Sequence, residues 1–203
     1  PKTTVTYFFC LILGILLPVL FISLKEFFNN TIRSKKDLLI HSKIPILGLI
    51  GHSDKLTSLI VPKNSKSVIS ESFRSLRTNI QYLAVDKTKK IITVSSSIGG
   101  EGKTFCSMNL ASIFALSGHK TVLIGADLRK PKLELEFKSE NKSGLSNYLI
   151  HKSTLKEIIN KTEIEYLDII FSGPTPPNPA ELLDSSKMKD LIKELNKKYD
   201  YVI

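Results

Sequence analysis

Ser95-Ser96-Ser97-Ile98-Gly99-Gly100-Glu101-Gly102-Lys103-Thr104 is the stretch on which the fold of this 203-residue chain turns. It follows a short β-branched run, Ile91–Val94, and opens a helix-patterned segment over 103–117. A strand that passes through a glycine-rich loop into a helix is the setting a phosphate-binding loop requires. Glycines let backbone N–H groups turn inward with no Cβ in the way, and the helix N-terminus adds about half a positive charge. In such a loop Lys103 reaches the β- and γ-phosphates of a nucleotide, and the Thr104 hydroxyl ligates Mg²⁺. The strict Gly-x4-Gly-Lys-Thr spacing places glycine at 97, where this chain has Ser97, so the loop is a variant of that motif. The pattern indicates a nucleotide and leaves the reaction open.

Outward from the loop, Thr121–Ile124 reads as a buried strand whose C-terminal end continues Gly125-Ala126-Asp127-Leu128-Arg129-Lys130-Pro131. Ligands of open α/β sheets sit beyond the carboxyl ends of the strands, which puts Asp127 near the loop. A carboxylate there holds Mg²⁺ through water or accepts a proton from a substrate hydroxyl; the plainer alternative is a strand-end Asp capping a turn. Leu167–Phe171 and Tyr201–Ile203 also read as strands, and 68–83 and 179–198 as helices, the last broken near Asp184. This alternation predicts an α/β fold, a P-loop NTPase-like, mostly parallel sheet flanked by helices.

The N-terminal end is of another kind. No charged residue occurs from Thr3 to Leu24, and Tyr7–Leu24 is almost wholly apolar. That matches the roughly 20 residues needed to cross a bilayer as a helix, in which Pro18 is tolerated. Only Lys2 precedes the run, whereas Lys25, Arg33, Lys35 and Lys36 follow it, so the C-terminal side is expected to be cytoplasmic. A secretory signal would carry its basic residues before the run and small residues at a cleavage site after it, and neither is present. A buried helix of a soluble protein is the remaining alternative. The chain begins with Pro1, not Met, and residues upstream are expected to be missing.

Composition narrows the class further. With 42% hydrophobic and 24% charged residues the chain is neither disordered nor collagen-like. Two cysteines, Cys10 and Cys106, do not make a disulfide scaffold. A net charge of +10 suits anionic partners. The lysines are dispersed without aromatic interleaving, so nucleic acid is not expected; Arg33, Lys35 and Lys36 suit anionic lipid. In the helix at 68–83, Ile69, Phe73, Leu76, Ile80 and Leu83 share an apolar face, with Glu71 and Arg74 opposite and Arg77 at its edge. On the residues alone the polar side is a solvated face held by a Glu71–Arg74 pair.

The variant loop followed by a strand ending in Asp127-Leu128-Arg129-Lys130-Pro131 resembles the bacterial tyrosine kinase family, proteins that regulate capsular and exopolysaccharide chain length and export. The likeness spans nearly the whole chain. It implies residues 1–24 as the second transmembrane helix of a chain-length-determinant module, 25–66 as a cytoplasmic linker, and 67–203 as a kinase domain cut before its Walker B aspartate. Ile44-Pro45-Ile46-Leu47-Gly48 is similar to the family's lead-in to the kinase domain. Glu71, Arg74 and Arg77 match a Glu-x-x-Arg-x-x-Arg helix that packs on a neighbouring subunit, implying a ring-like homo-oligomer. Ser172-Gly173-Pro174-Thr175-Pro176-Pro177-Asn178-Pro179-Ala180-Glu181-Leu182-Leu183 resembles another family segment; on its own chemistry it is a proline-fixed loop opening a helix.

The resemblance further implies ATP and Mg²⁺ as cofactors. Lys103 and Asp127 would be catalytic, and Thr104 and Asp127 would hold the metal. Ser97, Gly99, Gly100, Glu101, Gly102, Lys103, Thr104, Phe105 and Arg129 would contact the nucleotide. The expected partners are the membrane, polysaccharide export machinery, and a tyrosine substrate in a tail that this chain does not include. The expected location is the bacterial inner membrane with the kinase domain in the cytoplasm. One departure is Gly125, where the family's Asp-x-Asp-x-Arg has its first aspartate, leaving Asp127 and Arg129. Two other classes share the loop. Positioning or partition ATPases carry a lysine where this chain has Ile98, and lack an N-terminal span as a rule. A catalytically weak or inactive co-polymerase scaffold is favoured by Gly125.

Overall fold

The structure, a computed structural model, describes residues 2–29, 31, 35–53, 58–83, 90–139 and 143–203. Arg33, one of the basic residues after the apolar run, lies outside the described residues. Two compact units are present, Pro1–Pro45 and Ile46–Ile203.

In the first unit, helix α1 (Lys2–Phe27) carries the apolar run, with Pro18 inside it. Within Thr3–Phe27 an 18-residue window reaches a mean hydropathy of 2.7, and none of that window is buried. At 1.5 Å per residue the helix is about 39 Å long, enough for a bilayer core of about 30 Å. It is thus a helix long and apolar enough to cross a membrane. It continues three residues past the Leu24 limit read from the sequence, through Lys25, Glu26 and Phe27. A short α2 (Lys35–His41) follows.

The second unit is a three-layer α/β domain. Its elements run α3 (Val68–Leu83), β1 (Lys90–Ile91), α4 (Lys103–Ala115), β2 (Thr121–Ile124), α5 (Leu133–Glu136), α6 (Leu145–Leu149), α7 (Leu155–Ile158), β3 (Ile159–Lys161), β4 (Leu167–Ile170), α8 (Pro179–Asp184), α9 (Ser186–Lys198) and β5 (Tyr201–Val202). The sheet order is β1-β5-β2-β4-β3. Four strands are parallel, and β3 closes one edge antiparallel to β4. The mostly parallel sheet expected from the alternating pattern is therefore present, with β3 as an unforeseen edge.

Successive strand residues point to opposite faces, and both faces are covered. On one side Leu123, Leu167, Ile169 and Tyr201 pack with Phe73 of α3 and Met108, Ala111 and Phe114 of α4. On the other, Val122, Ile170 and Val202 pack with Leu145 and Tyr148 of α6 and Leu191 and Leu195 of α9. Phe114 stacks on Tyr201 with ring centroids 3.8 Å apart.

Several boundaries differ from the sequence reading. The strand read over 91–94 pairs only through Ile91, with one further bond from Ile92 N–H to Val202 O at 2.8 Å. Helix α4 stops at Ala115, not 117, where Gly118 N–H turns back to Ala115 O. The break expected near Asp184 is real: Ser185 is extended and its Oγ accepts the Met188 N–H at 3.2 Å, capping α9. On α3, Phe73 is buried and Ile69, Leu76 and Ile80 pack on the core, whereas Leu83 at the helix end is 63% exposed.

The connector read over 25–66 also divides. From Ile46 its residues belong to the second unit, and Ile60 and Val61 are core residues, each 1% exposed. Asn109 of α4 explains this. Its Oδ1 accepts the Ile60 and Val61 N–H groups, both at 2.9 Å, and its Nδ2 donates to Ser58 O at 2.7 Å and Phe105 O at 2.9 Å. A buried amide with all its hydrogen bonds satisfied ties this segment to the helix that begins at Lys103.

Candidate nucleotide site

The loop from Ser95 to Gly102 connects β1 to α4 at the carboxyl ends of the parallel strands. Gly100 and Gly102 have φ of 95° and 91°, a region L side chains rarely adopt, so glycine at these positions shapes the loop. Gly102 is the N-cap of α4, and Cys106 N–H to Gly102 O, at 2.8 Å, is the first bond of the helix. The N–H groups of Lys103, Thr104 and Phe105 therefore precede the intrahelical ladder and are available to an anion. Glu101 Oε2 accepts the Ile98 N–H at 3.2 Å across the loop. Lys103 Nζ donates to Ser96 Oγ at 3.0 Å, and Ser96 Oγ donates to Ile98 O at 2.8 Å, so the lysine is held against its own loop.

Beside the loop opens a cavity of about 360 Å³, whose wall includes Lys103, Thr104, Gly125, Asp127, Leu133 and Ser172. Asp127, far along the chain from the adjacent pair Lys103 and Thr104, thus meets them at one cavity. Asp127 is exposed; its Oδ1 accepts the N–H groups of Arg129 at 3.2 Å and Lys130 at 3.0 Å. The turn-capping role read as the plainer alternative is therefore performed, by one oxygen of a carboxylate that also lines the cavity.

Other expected residues fall elsewhere. Ser97, Gly99, Gly100, Glu101 and Gly102 form the loop but not the cavity wall. Phe105 turns to the core, its ring centroid 5.9 Å from that of Phe73. Arg129 is exposed and outside the wall. Glu71 pairs with Arg74, which also donates to Ser65 O at 2.6 Å, and Arg77 donates to Ser117 Oγ; these three side chains are engaged within their own chain. Ser172, the first residue of the family-like segment 172–183, has no site role in the sequence reading, because it joins the cavity wall only when β4 lies beside β2.

Gly125 has a structural consequence. A Cβ at this position would lie 2.7 Å from Ser172 Oγ and 3.1 Å from Ser172 N, so Ser172 occupies the space a side chain at 125 would need. Burial pushes the Cys106 thiol, one helical turn into α4, above its ordinary pKa, so it is a protonated, slow-reacting thiol at neutral pH. Oxygen donors from Thr104 and Asp127 at one cavity suit Mg²⁺, which takes few protein ligands and keeps water and phosphate oxygens. Among the described residues no cluster of three His, Cys, Asp or Glu suggests a metal held by protein alone.

The strand–loop–helix with its lysine, the acidic end of the neighbouring parallel strand and the cavity between them define a P-loop nucleotide-binding α/β domain. Residues 89–203 match the family described as AAA domain. Tyrosine-protein kinase YwqD of Bacillus subtilis is 43% identical over 72% of this chain and 62% of its own length. A putative tyrosine-protein kinase CapB of Staphylococcus aureus is 39% identical over 73% and 65%. The chain thus spans less than two thirds of these relatives. Among solved structures, the chimerical protein CapA2B2 superposes with a TM-score of 0.77 at 39% identity, covering 84% of this chain and 74% of that one. The kinase domain of Escherichia coli tyrosine kinase ETK gives 0.80 at 30% identity, covering 85% and 72%. The chain belongs to the bacterial tyrosine kinase family.

Proposed function

We propose that the protein is a membrane tyrosine autokinase that transfers the γ-phosphoryl group of ATP to tyrosine and controls capsular or exopolysaccharide polymerisation and export. The observation that carries this is the convergence of Lys103, Thr104 and Asp127 on one cavity at the strand ends. The kinase names of the relatives support the reaction class.

On this reading the N–H groups at the start of α4 and Lys103 cradle the phosphates, Lys103 leaving Ser96 to follow the charge that develops on the transferred group. Thr104 and Asp127 would hold Mg²⁺, which when bound would supply positive charge to the phosphates. Asp127 is also placed to accept the proton of an attacking tyrosine hydroxyl. The tyrosine comes from a neighbouring subunit, with α3 and its Glu71, Arg74 and Arg77 forming the homo-oligomer contact. Helix α1 sets the domain at the inner face of the bacterial plasma membrane, beside the export machinery, with no role for nucleic acid.

Lys103→Met in the protein carrying this chain is expected to abolish ATP-dependent phosphotyrosine, read by anti-phosphotyrosine blot after incubation with Mg·ATP. Removing a phosphate-loop lysine deletes charge stabilisation worth several kcal/mol, a loss of 10²-fold or more. Unchanged phosphorylation refutes the assignment, and a wild type with no Lys103-dependent phosphotyrosine favours the scaffold.

A further inference from the structure

Among the described residues of the second unit Glu134 stands apart from the other carboxylates. It is 4% exposed, in the short helix α5 just after the Asp127 turn. Its Oε1 accepts the Ser172 N–H at 2.8 Å, whereas Oε2 is buried and has no hydrogen-bond partner. A carboxylate oxygen shielded from water and left without a donor is costly, and such a group points to a donor or cation that completes it. The place is informative. Leu133 and Ser172, the neighbour and the partner of Glu134, both line the cavity that holds Lys103, Thr104 and Asp127. Gly125, at the end of β2, contributes no side chain there, and Ser172 fills the space beside it. Among the described residues Asp127 is thus the one acidic residue in the cavity wall, and its Oδ1 is already committed to the turn.

Resting on the nucleotide reading above, we propose that Glu134 is a further acidic residue of this site, its carboxylate charge acting from behind the cavity wall on the divalent cation that accompanies the nucleotide. Oε1 holds the end of β4 in place through Ser172, and Oε2 supplies negative charge that Gly125 does not. A carboxylate behind the cavity wall acts on that cation through the field of its charge, without direct ligation.

The test uses the full chain in detergent micelles, with a fluorescent ADP analogue and a Mg²⁺ titration. Glu134→Gln keeps an oxygen for the Ser172 N–H and removes the charge. It is expected to need about tenfold more Mg²⁺ for half-maximal nucleotide binding, the order of effect a nearby unit charge has near a protein surface. Its thermal midpoint and its nucleotide affinity without Mg²⁺ should match wild type. A Mg²⁺ dependence identical to wild type overturns the proposal while leaving the nucleotide site intact. A wild type that shows no Mg²⁺-dependent binding, or in which Lys103→Met changes nothing, overturns the nucleotide reading and this inference together. Should Glu134→Gln not fold, wild type loaded with ADP and Fe²⁺ and treated with ascorbate and peroxide serves instead. Backbone cleavage within 132–136 supports the proposal, and its absence there overturns it.

Discussion

Asn109→Ala should loosen the whole second unit. In the native chain the amide accepts from Ile60 and Val61 N–H and donates to Ser58 O and Phe105 O, at 2.7–2.9 Å. Ile60 and Val61 are each 1% exposed, so after truncation water does not reach their N–H groups without opening the segment. An orphaned buried donor costs about 1–3 kcal/mol, and two cost about 2–6 kcal/mol, a large part of the roughly 5–15 kcal/mol that holds a domain together. Taking about 4 kcal/mol, the thermal midpoint should fall by about 8–16 °C. The chain has no Trp, but Tyr148, Tyr199 and Tyr201 are buried, so near-ultraviolet circular dichroism of the full chain in micelles follows this unit and not α1. Ser72→Ala, which removes an exposed bond to Val68 O, is the control, expected within about 0.5 kcal/mol of wild type. A shift below about 1 kcal/mol in Asn109→Ala refutes the reasoning, since the segment at 58–61 would then not depend on α4.

Gly125→Asp, which restores the acidic pattern of the family, should destabilise by about 1–3 kcal/mol because its Cβ meets Ser172 at 2.7 Å; adding Ser172→Gly should recover part of that loss in the same melting assay. Tyr199 donates to Asp168 Oδ2 at 2.6 Å, and burial followed by the Asp168 carboxylate raises its pKa well above the ordinary tyrosine value. Its proton is held more tightly folded than unfolded, so its contribution is complete below about pH 10 and is lost as pH rises above that. Stability measured by urea titration should fall along this alkaline limb, and Tyr199→Phe should flatten it; an unchanged limb contradicts the assignment. Arg74→Ala with Arg77→Ala is expected to shift the detergent-solubilised chain toward monomer in sedimentation velocity, and an unchanged distribution removes α3 as the oligomer contact.

Local signals carried much of the fold. The loop at 95–104 and the apolar runs at 121–124 and 167–171 are short-range patterns: glycines where positive φ is needed, and β-branched residues where both sheet faces are covered. The break at Ser185 was legible for the same reason, since a serine cap is a local hydrogen bond. The edge strand β3, Ile159–Lys161, was not, because three residues ending in lysine resemble a polar loop until β4 lies alongside. Nor was the burial of Ile60 and Val61, which depends on a single amide on a helix far along the chain.

The sequence by itself determined that one part of this chain is an apolar helix and that another carries a phosphate loop and an acidic strand end. These follow from hydrophobic length and from backbone chemistry that needs particular residues in succession. Which side chains stand beside Lys103, Thr104 and Asp127 was decided only by the tertiary structure. Parallel pairing of β2 with β4 brings Ser172 against Gly125, and the turn after Asp127 returns the chain so that Glu134 meets the Ser172 N–H. Parallel strands are joined through long crossovers, so residues that meet at their ends are far apart in sequence, and no local pattern records the meeting.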